Sequence, residues 1–329
     1  QAAATEKENA VLREVIEAYG KVAKVWNLRL RDDQLLTRPL AWAYYRMAVR
    51  GVANHFLNEK TIELLKSPDT ETRIAAAHYF ARGAKDFSNF QRQLIQTALH
   101  DSSAFVRMAA AFWLGKIQSD SSRLAASILG RNDPDYRVRV NAIRALQEFP
   151  FAQSKKILLE SLDDSILHVG IAASETIKNS ITKDEWRDVA EISRNHKHWR
   201  IQADLYAAAL SVSSHKELTE EIVSLYNKST NPYQKGALLT ALQHSIMSYD
   251  FVRDQLLKSD TSIIKISAAL ALVGMNYRKD FDQSLKPTFA SAYRQAIEDG
   301  DPAVTGIVAD ALSDSTLGYN NAITDYNFL

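Results

Sequence analysis

Residue types able to do acid–base, nucleophilic or metal chemistry are thinly spread along these 329 residues. The eight histidines are His55, His78, His100, His168, His196, His198, His215 and His244, and only the "HKH" at 196–198 is clustered. A metal there would need a third ligand at helical or short-loop spacing, and none follows. The segment reads instead as a polar turn ahead of a helix at Trp199. Ser213, Ser214 and His215 lack any nucleophile-elbow context. Asp163 and Asp164 sit where a turn meets a helix, a place that capping explains. No Gly-x-Gly-x-x-Gly, Gly-Lys-Ser/Thr or His-Glu-x-x-His occurs. There is no cysteine, which excludes a disulfide framework and a thiolate metal site. The expectation is a non-catalytic chain with no cofactor and no metal. A second set of residues suits recognition: Arg46, Arg50, His78, Tyr79, Arg82, Trp113, Lys116 and Arg144. Cations recognise carboxylates, and aromatic rings anchor a partner.

What would place those residues on one surface is a repeat. "FVRMAAAFWLGKI" (105–117) and "YRVRVNAIRALQEF" (136–149) share an apolar anchor, a cation next to it, a small residue at plus four and an apolar one at plus eight. Positions four apart share a helix face, so the pattern is one buried stripe. Val106, Ala110, Leu114 and Val138, Ala142, Leu146 define it. Further copies start at Leu40, Thr72, Val169, Trp199, Tyr233, Ile264 and Val304, making nine. Between them lie other amphipathic stretches, such as "FQRQLIQTAL", "SRLAASIL" and "QSKKILLESL", with short Asp, Ser, Asn and Pro turns. Each unit is therefore a helical hairpin too small to bury its apolar faces alone. Stacking buries them, which predicts an all-α, right-handed superhelical α-solenoid of about eight to nine hairpins. Residues 1–329 read as one solenoid: less regular helices over 1–60, regular repeats over 61–315, and a tail over 316–329 that leads toward a further C-terminal part.

Composition agrees. Hydrophobic residues make up 46%, while Gly and Pro number only 11 and 7, which disfavours a turn-rich β fold. Residues 1–165 hold 24 Lys and Arg against 19 Asp and Glu, and residues 166–329 hold 16 against 20. That mild asymmetry falls short of a nucleic-acid footprint. No apolar run is long enough to span a bilayer.

The second helices resemble the HEAT-repeat family, in which a turn Asp precedes Val-Arg, Ala and Leu at these offsets. Asp101 with Arg107 and Asp133 with Arg139 match that pattern. The resemblance implies a ladder of such pairs linking adjacent repeats, charge-assisted bonding that sets the stacking register. Later copies depart from it: Gly170 stands for the Arg beside Asp164, Arg194 for the Asp ahead of Arg200, and Ser259 precedes Lys265. The ladder is expected to end after the third or fourth repeat. "LAWAYYRMAVRGV", "DYRVRVNAIRAL" and "DPAVTGIVADAL" are similar to a group of bacterial proteins in which a HEAT solenoid precedes a cyclophilin-type peptidyl-prolyl isomerase domain. The isomerase's own Phe-His-Arg and Gln-Gly-Gly segments are missing from this sequence. The resemblance implies the non-catalytic arm of a larger protein, periplasmic or lipid-anchored rather than cytoplasmic.

In a HEAT stack the second helices line the concave face. Positions plus three, six, seven and ten from each anchor are expected to face it. They give the basic and aromatic strip above, with Met47 and Phe112, and later Glu175, Thr176, Tyr206, Thr240, Gln243, Asp310 and Asp314. The expected role is a monomeric scaffold binding a protein or peptide. The alternative is a HEAT-like DNA glycosylase, disfavoured by the weak net charge of +1.

Overall fold

The computed structural model of the chain describes residue 14, residues 30–213 and residues 215–319, with side chains from Thr37 onward in the second of these. Their regular structure is all helical, with no strand among the described residues. The chain divides into two compact units, Gln1–Val169 and Gly170–Leu329.

The first unit holds α1 (Leu30–Val49), α2 (His55–Leu64), α3 (Thr70–Arg82), α4 (Gln91–His100), α5 (Ala104–Ile117), α6 (Asp120–Asn132), α7 (Tyr136–Ala145) and α8 (Phe151–Ser161). α9 (Leu167–Ser180) spans the division. The second unit continues with α10 (Trp186–Asn195), α11 (Trp199–Val212), α12 (Lys216–Lys228), α13 (Pro232–Leu242), α14 (Tyr249–Lys258), α15 (Ser262–Asn276), α16 (Lys286–Glu298) and α17 (Pro302–Ser313). In the first unit α1, α3, α5 and α7 pack side by side in one layer, and α4, α6 and α8 in the other. In the second unit α11, α13, α15 and α17 form such a row. This is the consecutive packing of an α-solenoid, and each predicted copy falls on an odd-numbered helix.

The stripes are the core. Val106, Ala110, Leu114, Val138, Ala142 and Leu146 are fully buried. Side-chain caps mark where several odd helices start: Asp69, Asp135, Asn231 and Asp301 accept the N–H groups of their first turns. Measured from these caps, two anchors shift. α11 begins after His198, so its stripe is Ile201, Leu205 and Ala209, all buried, rather than Trp199, Ala203 and Ala207. Tyr233 is 64% exposed, and the stripe of α13 runs through Leu238 and Leu242. A large ring just after the cap imitates the anchor in each case.

The same turn recurs ahead of the odd helices. Two residues before the cap, a short polar side chain accepts the cap's own N–H: Ser67, Asp101, Asp133, Asp164, His196, Ser229 and Ser259 all do so, at 2.8–3.2 Å. Where that residue is Asp, its carboxylate also takes the arginine of the preceding odd helix. Arg73 forks onto Asp101 (2.8 and 3.2 Å), Arg107 onto Asp133 (2.7 and 3.0 Å) and Arg139 onto Asp164 (3.0 and 2.9 Å). Each guanidinium also donates to a carbonyl of its own turn, Ser67, Asp101 or Asp133. Arg38 makes a related fork onto Asp69, whose carboxyl it holds well below the usual carboxylate range.

In each of these three pairs the partners lie one repeat apart. Beyond them the sequence reading misplaced one pair. His196, not Arg194, occupies the turn before α11, and Gln202 takes the arginine's place, bonding Ser193 instead. Arg194 pairs with Glu221 and Glu191, and Arg200 with Asp204. Late in the second unit a rung returns in a different chemistry, Lys265 to Asp299 at 3.5 Å.

Candidate functional site

The predicted strip divides by burial. Tyr79 and Trp113 are fully buried and are not surface residues. Tyr79 donates its hydroxyl to Asn58 (2.7 Å), and burial pushes that hydroxyl's pKa up. Trp113 donates Nε1–H to the Leu94 carbonyl (3.2 Å) and meets Phe80 edge-on at 5.9 Å. The reason is helical geometry. Seven residues turn a helix through nearly two full revolutions, so plus seven lies within about 20° of the anchor and faces the core. Tyr206 and Thr176, read by the same rule, are buried too.

Arg46, Arg50, Arg82, Lys116 and Arg144 are exposed, as expected of a surface, and His78 is half-buried. The structure adds two rings that the repeat pattern missed. Trp42 stacks on His78 with centroids 6.0 Å apart and planes at 30°, and Tyr45 meets both, at 5.7 Å from Trp42 and 5.8 Å from His78. Burial, then the charge of Arg82, lowers the His78 pKa, which favours the neutral ring. The stacking shows that Trp42 lies level with His78, so the register of α1 is one turn earlier than Leu40 implied. With that correction three consecutive odd helices carry the same pair, a ring and, four residues on, a cation: Trp42 and Arg46, His78 and Arg82, Phe112 and Lys116. Residues four apart lie on one helix face. The signal was legible as that spacing.

Phe112 is 49% exposed. Lys116 reaches the Ala81 carbonyl at the end of α3 (2.6 Å), and its partial burial lowers its pKa. Arg46, Arg50 and Arg82 make no ion pair among the described residues. At α7 the pattern stops: Arg144 stands level with the rings, and Glu148, at the end of the short 3-10 turn Leu146–Glu148 that follows the helix, packs beside Gly115, level with the cations. Across α3, α5, α7 and residues 37–49 of α1 there are nine cations and one carboxylate, Glu71. Four of the nine are held by the ladder and Arg137 by Asp135, whose carboxyl it lowers to about 2.

The other groups singled out in the sequence have structural roles or lie outside the described residues. His196 Nδ1 accepts the His198 N–H and His198 Nδ1 the Arg200 N–H, so "HKH" forms the turn that starts α11. His215 stacks on Trp186 at 4.2 Å, while Ser214 lies outside the described residues. No group of three or more His, Asp or Glu among the described residues is placed to hold a metal. A cavity of about 260 Å³ opens beside the Arg107–Asp133 rung, but those charges bond each other and Asp101 bonds Arg73, leaving Leu99, Ile128, Leu129, Asn132 and Pro134. No helix of the described residues is long and apolar enough to cross a membrane.

In the second unit Asp204 is buried, bonded by Ser174 (3.2 Å) and Arg200 (3.2 Å), with Lys178 at 3.6 Å. Nearby, burial and then the charges of Arg278 and Lys178 hold the His244 imidazole at a pKa of about 4, from an ordinary 6.5. Unfolded chains take up that proton near pH 6.5 and the folded one does not until about pH 4, so stability falls as pH drops through that window. Between pH 7 and pH 5 the expected loss from this one group is about 2 kcal/mol. Urea denaturation of wild type and His244→Gln at both pH values checks it: the variant should lose correspondingly less, and equal losses would remove His244 from the account.

Comparison of the sequence with known protein families finds none that matches, and comparison with curated proteins finds no similar chain.

Proposed function

We propose that this chain is a non-catalytic interaction scaffold that holds a partner polypeptide along the odd-helix face of its first unit. The observation that carries this reading is the triple ring-and-cation pair on α1, α3 and α5. Partly exposed rings beside cations that make no ion pair among the described residues, at repeated spacing, are what a polypeptide's apolar and acidic side chains need. The resemblance to HEAT arms that precede an isomerase supports a fuller version, in which the scaffold presents a client to a catalytic domain. Salt-laddered stacking supports the same role, because it fixes the rows relative to one another before any partner arrives.

A photo-crosslinking side chain placed at Phe112 tests it. In lysate of the source cells it should trap a polypeptide, and Arg46→Ala with Arg82→Ala should cut the yield about tenfold. Trapping unchanged by that double substitution, or trapping of nucleic acid, would sink the proposal.

A further inference from the structure

The two rows restrict what the partner looks like. Arg46, Arg82 and Lys116 stand one per helix, at matching positions near the C-terminal ends of three helices packed side by side. A cation in the last helical turn also suits the macrodipole, which explains the residue type. It does not explain a ring one turn earlier on every helix, with Phe112 half in water. Packed helices lie about 8–10 Å apart. An extended or polyproline-type chain advances about 3.1–3.4 Å per residue, so residues three apart are about 9–10 Å apart. In the polyproline conformation those residues also share one side, because it has three residues per turn.

We infer that the face takes an extended acidic segment with a carboxylate at every third position and an apolar residue beside each. The carboxylates meet Arg46, Arg82 and Lys116, and the apolar residues meet Trp42, His78 and Phe112. Glu148, just past α7 and level with the cations, repels a fourth carboxylate and sets the length at three repeats. Charge complementarity argues for an acidic partner: the nine cations on these helices face one carboxylate, Glu71, and Glu148 just past α7, and Arg46, Arg82 and Lys116 make no ion pair among the described residues. The chain's net charge of +1 and pI near 8.0 argue for a peptide over a nucleic acid, whose binders are strongly basic. The inference rests on the scaffold reading and adds the partner's chemistry and spacing.

Fluorescence anisotropy on the whole chain tests it with four labelled probes: three Glu-Pro-Leu repeats, the same composition as blocks (Glu-Glu-Glu-Pro-Pro-Pro-Leu-Leu-Leu), three Lys-Pro-Leu repeats, and a ten-residue oligothymidine. The spaced acidic peptide should bind at least tenfold tighter than the block peptide and weaken with salt. The lysine peptide should not bind. R46Q/R82Q/K116Q should lose about tenfold or more, and F112A several-fold, with unchanged circular dichroism. Equal binding of spaced and block peptides, or tighter binding of the oligonucleotide, overturns the inference, as does no binding at all. Crosslinking from Phe112 separates the two failures. A polypeptide trapped there without acidic spacing keeps the scaffold and loses the inference; nothing trapped loses both.

Discussion

Asp133→Ala is expected to lower the unfolding free energy of the first unit by about 3–5 kcal/mol, the cost of breaking a buried ion pair from one side. The Asp133 side chain is 2% exposed and that of Arg107 11%. The carboxylate accepts from Arg107 Nε (2.7 Å) and Nη2 (3.0 Å) and from the Asp135 N–H (2.9 Å). Removing it leaves a guanidinium with one remaining bond, to the Asp101 carbonyl, and a turn with an unpaired N–H. Arg107→Met with Asp133→Leu removes both charges and should recover much of the loss. Because each rung joins neighbouring hairpins, its loss weakens a nearest-neighbour interface, and the unfolding transition should broaden as well as shift. Urea denaturation of Arg107→Met, Asp133→Leu and the double completes a cycle, and a coupling below about 0.5 kcal/mol would show that the rung adds nothing beyond its separate ends. Glu160→Ala, which breaks the exposed Arg131–Glu160 pair, serves as the control that leaves the midpoint unmoved.

The repeat could be read because stacking forces every odd helix to bury the same stripe, and a stripe at four-residue spacing is visible in sequence. The ladder could be read because a turn Asp and an Arg six residues later leave a fixed imprint. Registers slipped where a ring after the cap outranked the true anchor, as at Trp199 and Tyr233, or where α1 carried two apolar residues four apart at Leu36 and Leu40. The candidate site was legible in its cations. Lysine and arginine at the ends of short helices have nowhere to go but outward, and Arg46, Arg82 and Lys116 are exposed as expected. The aromatics were harder, because a ring is equally at home in the core. Only the turn-by-turn angle separates Trp113 from its neighbour Phe112, and only packing against His78 reveals Trp42. A division near residue 169 leaves no imprint that the periodicity carries, since the helix that crosses it, α9, keeps the stripe with buried Val169, Ala173 and Ile177.

Phe112 and Trp113, adjacent in sequence, should therefore fail in opposite ways. Trp113→Ala removes one of the largest fully buried side chains, together with its contact to Phe80 and its bond to the Leu94 carbonyl. Large-to-small changes of this kind cost about 3–5 kcal/mol, the transfer term plus the cavity left behind. Trp113→Phe keeps most of the volume and should cost less than half as much, the remainder being the indole's extra ring and its hydrogen bond. Phe112→Ala removes a side chain already 49% exposed, so stability should move by less than about 1 kcal/mol while partner binding weakens. Thermal and urea unfolding of all three, beside the anisotropy measurement, gives two independent scales. The expected result is a crossing: Trp113→Ala unfolds early and Phe112→Ala binds poorly while folded. If Trp113→Ala proves as stable as wild type, α5 is rotated from the orientation that puts its rings and cations on one face, and the binding surface goes with it.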